Sequence, residues 1–312
     1  MTLKQIAGLG RKLVMFLGLF AGCFGRREAR ELLRVYVQGQ LSDVHRKTAE
    51  GIALRFGKAP RTLQRFLESI KWDEEKFHDR CQQIVAQDHA HPEAIGVVDE
   101  SGVATASFRM ASSSVGRRSW ARFPSTSTAG CKSPRSSVPG RRHCLIVAHK
   151  VLTGEVKYFV ANRVPGEKGV TLRWLLRVAF GRWSVESCFR QAKDELGMDH
   201  YQVRGWRCLH RHFFLTQASH LFCARVRQEY DAPGSEPTDR LTVEQVRSAT
   251  NTWLSAADLK PAARRKRYED ELKNQRYHQR RNKQARKSHT KTRIARLHTL
   301  GIDPNKIKSC TP

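Results

Sequence analysis

The segment 104–143 limits the fold more than any other part of this 312-residue chain. Its forty residues hold ten Ser and seven Arg, no Asp or Glu, and too few apolar residues in alternation to build a central sheet. Just before it, residues 94–99 (AIGVVD) read as a strand apolar on both faces, delivering Asp99 and then Glu100 at its end. Just after it, CLIVAH (144–149) and EVKYFVA (155–161) read as a hairpin around Thr153-Gly154. A middle of this kind interrupts any sheet, and stable folding of the middle domain is in question from the sequence itself.

Helical periodicity fills the flanks. Residues 13–90 read as a helical cluster, with one helix over about 27–39. Ser42 is expected to cap a second helix (SDVHRKTAEGIALRF), with Asp43 in its first turn. Pro60 suits the first turn of a third, PRTLQRFLESI, and Asp73 opens a fourth through about 87. The third carries Arg61, Thr62, Gln64 and Arg65 on one side and Leu63, Phe66 and Leu67 on the other. With the helix before it and the Gly-containing turn FGKAP, it suits a helix-turn-helix whose second helix enters a major groove, although basic amphipathic helices are common everywhere. Further helices are expected at about 169–180, 182–196 and 206–229, then a Pro/Gly/Ser/Asp linker at 231–239 and a C-terminal helical region. Residues 262–296 of that region hold fourteen Lys/Arg against three acids, with Tyr268 and Tyr277 interleaved. Such a stretch either tracks a phosphate backbone or forms a solvated tail.

Charge narrows the partners. The chain has 57 Lys+Arg against 29 Asp+Glu, a formal net of +28, which predicts attraction to a polyanion, with nucleic acid the default. A membrane surface fits less well, because the basic segments carry His, Gln and Asn rather than an apolar stripe. Near the N-terminus, VMFLGLFAGC imitates a signal peptide with a lipoprotein-like Cys23, but the run is too short to span a membrane and continues into Phe24, Leu32, Leu33 and Tyr36 at helical spacing. Eight cysteines without a C-x-x-C pair read as reduced thiols in a cytosolic protein, with neither zinc nor disulfides. His200, His210, His212 and His220 lack the spacing of metal ligands and read as surface or core histidines.

The stretch FGRWSVESCFRQAKDELGMDHYQVRGW (180–206) carries the most specific pattern. At about 100° per helical residue, Arg182, Glu186 and Lys193 fall within about 40° of one another. A carboxylate flanked by two cations is either an ion-pair ladder or a metal ligand whose neighbours grip a phosphate.

The spacing R-x3-E-x6-K, followed by ELGMDHYQVRGW and a helix with HRH, resembles insertion-sequence transposases of the DDE superfamily, whose signature around the third acid is Tyr-Arg-Glu-Lys. AIGVVDESG resembles the strand bearing the first acid. FAGCFGRREARELLRVYVQGQLSDVHRK resembles the N-terminal helical region, and RLTVEQVRSATNTWL with QRRNKQARKSHTKTRIARLHTLGI resembles the C-terminal end. Together these cover most of the chain outside about 104–143.

The resemblance implies an α-rich α/β fold: an RNase H-like core, incomplete here, over 91–230, a helical DNA-binding region over 1–90, and basic C-terminal helices over 231–312. It implies that Asp99 and Glu186 are catalytic, metal-binding acids, and that Arg182 and Lys193 contact DNA phosphate; the charge pattern of the basic helices adds Arg61, Arg65, Arg280 and Arg281 as expected phosphate contacts. It implies Mg²⁺ or Mn²⁺ in an active copy, with two ions about 4 Å apart held by three carboxylates. Two departures stand out. Ala179 occupies the signature's Tyr position. Between Asp99 and Glu186, 87 residues apart and closer than in the family, the acids are Glu100, Glu155 and Glu167, with no Asp to serve as the second acid. The expectation is a transposase disabled in catalysis, with 104–143 translated out of frame beside an internal deletion. The alternatives are a native insertion at 104–143 and a non-catalytic DNA-binding remnant or repressor of transposition. The expected partner is double-stranded DNA at insertion-sequence ends, with a homodimer as the assembly, no membrane and no small-molecule substrate, in a nucleoid-associated cytoplasmic setting.

Overall fold

The computed structural model describes residues 1–90, 144–150, 152–167, 169–181, 183–231 and 240–304. The strand expected at 94–99 with Asp99, the segment 104–143 and the side chain of Arg182 lie outside the described residues. The described elements are α1 (Leu3–Gly18), α2 (Arg27–Leu41), α3 (Ala49–Arg55), α4 (Pro60–Glu68), α5 (Glu74–His89), β1 (Cys144–Lys150), β2 (Glu155–Ala161), α6 (Leu172–Gly181), α7 (Trp183–Leu196), α8 (Trp206–Tyr230), α9 (Val243–Ser255) and α10 (Pro261–Thr299). They fall into two compact units, one of Met1–Ala94 with Phe180–Pro312, the other of Ile95–Ala179. The fold is α-rich with a small sheet.

The regular elements described in the first unit are all helices, and α8 is its hub, touching α2, α4, α5, α7 and α9. At its N-terminal side, Thr2 starts α1 with a reciprocal cap: its Oγ1 accepts the Gln5 N–H and its own N–H donates to Gln5 Oε1. Ile6, Leu9, Leu13, Phe16 and Leu17 then recur at three- and four-residue spacing and are buried against α2, α9 and α10. The apolar run 14–23 thus spans the end of this helix and the turn after it, with Phe16, Leu17, Phe20 and Cys23 buried and Val14 and Met15 exposed. No helix among the described residues is long and apolar enough to cross a membrane. Past α1, Phe20 stacks on Phe77 of α5 at 4.4 Å and Phe24 on Trp72 at 5.3 Å, joining the first and fifth helices through aromatic faces.

Helix α2 follows the sequence expectation closely; the start of α3 does not. Ser42 ends α2, its hydroxyl donating to Gly39 O at 2.7 Å, and residues 42–48 form a loop. The cap of α3 is Thr48, whose Oγ1 accepts the Gly51 N–H at 3.0 Å. The reason lies in Lys47: its buried ammonium turns back to the carbonyls of Ser42 (2.6 Å) and Val44 (3.3 Å), groups that a helix starting at Ser42 would need for its own bonds. Close approach of α2 and α3 requires Gly39, where a Cβ would stand 2.3 Å from Cγ2 of Ile52.

In the second unit, β1 and β2 pair antiparallel from Cys144↔Ala161 to Lys150↔Glu155 around the expected turn. Ile146 packs with Val170 and Leu175, with Phe159 and Leu176 alongside. Cys23, Cys81, Cys144, Cys188, Cys208 and Cys223 are free thiols.

Candidate nucleic-acid interface

The signature helix α7 begins with Glu186 in its first turn and carries Lys193 in its last. Glu186 is half-buried and Lys193 exposed. Seven residues put Lys193 about 10 Å further along nearly the same face, beyond the reach of an i,i+4 pair. The ladder reading thus depends on Arg182, whose side chain lies outside the described residues, as does Asp99.

The C-terminus of α7 is tightly specified. Gly197, at φ +70°, closes it: the Gly197 N–H donates to Lys193 O at 3.1 Å and the Met198 N–H to Ala192 O at 3.0 Å. A Cβ on Gly197 would also meet Cβ of Lys47 at 2.7 Å. Glu195 accepts from Nε of Arg247 on α9 at 2.7 Å. The carbonyls of Gly197 and Met198 lie 3.0 and 3.2 Å from Nε2 of His212, and Nδ1 of the same ring is 2.8 Å from the Tyr36 hydroxyl. Burial holds the His212 pKa down at about 4, so the ring is neutral. One turn on, Gln40 donates to Thr216 at 2.7 Å and accepts from Ser219 at 2.7 Å. These residues join α2 to α8 by a buried polar ladder that anchors the ELGMDH turn. Reading His212 as a core histidine agrees with this place. The ladder left a trace in the sequence, since His212, Thr216 and Ser219 form a polar line at four- and three-residue spacing beside the buried Leu209, Leu215, Phe222 and Val226 of the same helix.

Lys47 sits beside this turn. Burial, with the Arg247 charge adding to it, lowers its pKa to about 8, and its backbone N–H donates to Nδ1 of His200 at 3.1 Å.

Two of the acids considered for the missing metal ligand are visible. Glu155 is exposed on the hairpin, paired with Lys157 at 3.3 Å and Lys150 at 4.0 Å. Glu167 is exposed and paired with Arg163 at 3.6 Å. Among the described residues, no three His, Cys, Asp or Glu side chains gather closely enough to hold a metal ion. Of the two expected ligands, Glu186 alone lies among the described residues.

The basic helices are better defined. On α4, Leu63, Phe66 and Leu67 are buried while Arg61 and Arg65 are exposed, as the amphipathic pattern requires. Arg61 pairs with Glu68 at 3.1 Å. Gly57, at φ +62°, makes the turn between α3 and α4. What holds α4 in place is Arg211 of α8, fully buried. Its Nη1 donates to Phe66 O and Leu67 O at 3.0 and 3.2 Å, its Nε to Glu74 at 2.9 Å, and its guanidinium lies 4.7 Å from the centre of the Trp72 ring. An arginine so placed satisfies the open carbonyls at the end of α4. Nothing in the local spacing of HRH singles Arg211 out for that role.

Helix α10 runs for 39 residues, about 58 Å. Tyr268, Glu271, Leu272 and Gln275 are buried in its first half, which packs on α1 and α9. Residues 280–296, including Arg280 and Arg281, are exposed throughout.

Residues 19–155 match the family model described as DDE superfamily endonuclease. The matched stretch runs from the end of α1 through α5 and Asp99 to the first residue of β2, and stops before α7. No curated protein and no solved structure matches the chain.

Proposed function

We propose that this chain, a DDE-type transposase-like protein by the match over residues 19–155, is a DNA-binding transposase of insertion-sequence type whose phosphoryl-transfer activity is lost. The observation that carries the reading is the absence of any Asp between Asp99 and Glu186 in a chain that resembles the family, in order, in its helical region, its first acid and the Arg-Glu-Lys part of its third-acid signature. In this reading the RNase H-like core extends over 91–230 and lacks its second acid. Asp99 and Glu186 are the remaining catalytic positions, and they would have held Mg²⁺ or Mn²⁺ together with the missing second acid. Arg182, Lys193, Arg61 and Arg65 contact phosphate, with Arg280 and Arg281 in the basic C-terminal helix. The protein acts on double-stranded DNA in the nucleoid, with insertion-sequence ends as its sites and a homodimer as its assembly.

A second reading, a repressor that occupies the DNA of active relatives, is favoured by the helical unit, which buries an extensive core from its own residues. Both readings expect duplex binding that weakens steeply with salt, by about 0.9 in log–log slope per phosphate contact. They expect no strand cleavage with Mg²⁺ or Mn²⁺. Cleavage abolished by Asp99→Asn or Glu186→Gln would overturn the loss of activity. The coding DNA for residues 100–145 provides the companion test: alternating apolar strands in another frame support a frameshift, and their absence in both supports a native insertion.

A further inference from the structure

Helix α10 changes character along its length. In the first half the cations have acids at hand: Arg265 bonds Glu269 at 3.0 Å and Lys273 lies 3.5 Å from Asp270. From 272 to 302 the sequence has no acid at all. Lys273, Arg276, Arg280, Lys283, Lys287 and Lys291 nevertheless keep a strict order, falling within about 80° of helix arc over about 27 Å. All six are exposed. The opposite face mixes Asn274, His278, Ala285, His289 and Thr292 with Arg293 and Arg296, and has no cation at successive three- or four-residue steps before Arg293. At its N-terminal end the stripe borders a cleft that Lys4 of α1 lines with Lys273, Arg276 and Glu269.

This arrangement is unfavourable for a helix alone in water. From Arg276 to Lys291, each successive pair stands three or four residues apart, where like charges destabilise by about 0.2–0.5 kcal/mol. A merely solvated helix would interleave acids, as the first half of α10 does. A straight row of cations at intervals of about 4.5–6 Å suits instead the backbone of a rigid duplex, which presents one phosphate per ~3.4 Å of axis on each strand.

We infer that this stripe, rather than the basic helix as a whole, is the phosphate-contacting track of α10, and that it lies along one strand of duplex DNA without reading its sequence. The inference rests on the DNA-binding reading above and refines it: Arg280 belongs to the track, while Arg281, about 100° away, does not. Its contacts neutralise phosphates, so their number is read in the salt dependence.

The test compares two variants of the full chain with the same change in charge. One is Arg280→Gln, Lys283→Gln and Lys287→Gln; the other is Arg286→Gln, Arg293→Gln and Arg296→Gln, off the stripe. Glutamine keeps a helix propensity close to that of Arg and Lys, and far-UV circular dichroism verifies that the helix remains. Binding to a random-sequence duplex is measured between 50 and 200 mM salt, a range set by the assay. The stripe variant is expected to flatten the log–log slope by about 2.7 and the off-stripe variant by less than about 1. Equal losses in the two would overturn the track while leaving DNA binding intact. If the unaltered chain shows no salt-dependent duplex binding, both the track and the reading beneath it fail.

Discussion

The ring of His212 on α8 links the Tyr36 hydroxyl on α2 to the turn that ends α7. Two carbonyl acceptors at Nε2 require the proton there, which leaves Nδ1 to accept from Tyr36. The ring therefore has to stay neutral, and burial keeps it so by lowering its pKa from 6.5 to about 4. In the unfolded chain it takes up a proton near pH 6.5. Stability is thus greatest above that pH and falls as the pH drops towards 4, by on the order of 3 kcal/mol from this residue. Half-buried His220, also shifted downward by desolvation, acts in the same direction. The measurement is urea unfolding from pH 7 to 4 on the native chain and on His212→Gln. The variant is expected to be less stable at pH 7 and to lose less stability on acidification; parallel curves would refute the role of His212.

Arg211 and Arg207 both reach Glu74, but from opposite environments: the first side chain is fully buried and the second is largely exposed. Replacing Arg211 by Ala leaves the Phe66 and Leu67 carbonyls and much of Glu74 without their donor, at an expected loss of about 3–5 kcal/mol. Arg207→Ala is expected to lose under about 1 kcal/mol. Denaturant midpoints of the two variants decide the ranking.

Gly39 meets Ile52 at a separation that leaves no room for a methyl group. Gly39→Ala is expected to destabilise by about 1–3 kcal/mol through overpacking, outweighing alanine's better helix propensity. Combining it with Ile52→Ala should recover part of that loss, giving a non-additive double-mutant cycle. Additive effects would show that the two helices separate freely at this point.

Thr48 and Ser42 offer a direct comparison of two hydroxyls in one loop. Thr48→Ala removes the helix cap and is expected to cost about 1 kcal/mol. An unchanged melting temperature in Thr48→Ala would show that the cap carries no weight in the folded chain.

Local order was legible from the sequence because its causes are local. The apolar spacing of Leu63, Phe66 and Leu67, the Asp73 cap whose Oδ1 accepts the Lys76 N–H at 2.9 Å, and the hairpin between Cys144 and Ala161 each depend on residues a few positions apart. The α-rich character and the excess of positive charge were present in the same way. Tertiary structure alone decided where buried polar groups find partners. Arg211 bonds residues 137 and 145 positions away, and Tyr36 meets His212 across 176. The α3 start moved from Ser42 to Thr48 because Lys47, buried beside Gly197, claims carbonyls of its own loop. A buried donor or acceptor must be satisfied by whatever the fold brings close, and sequence distance carries no record of that proximity.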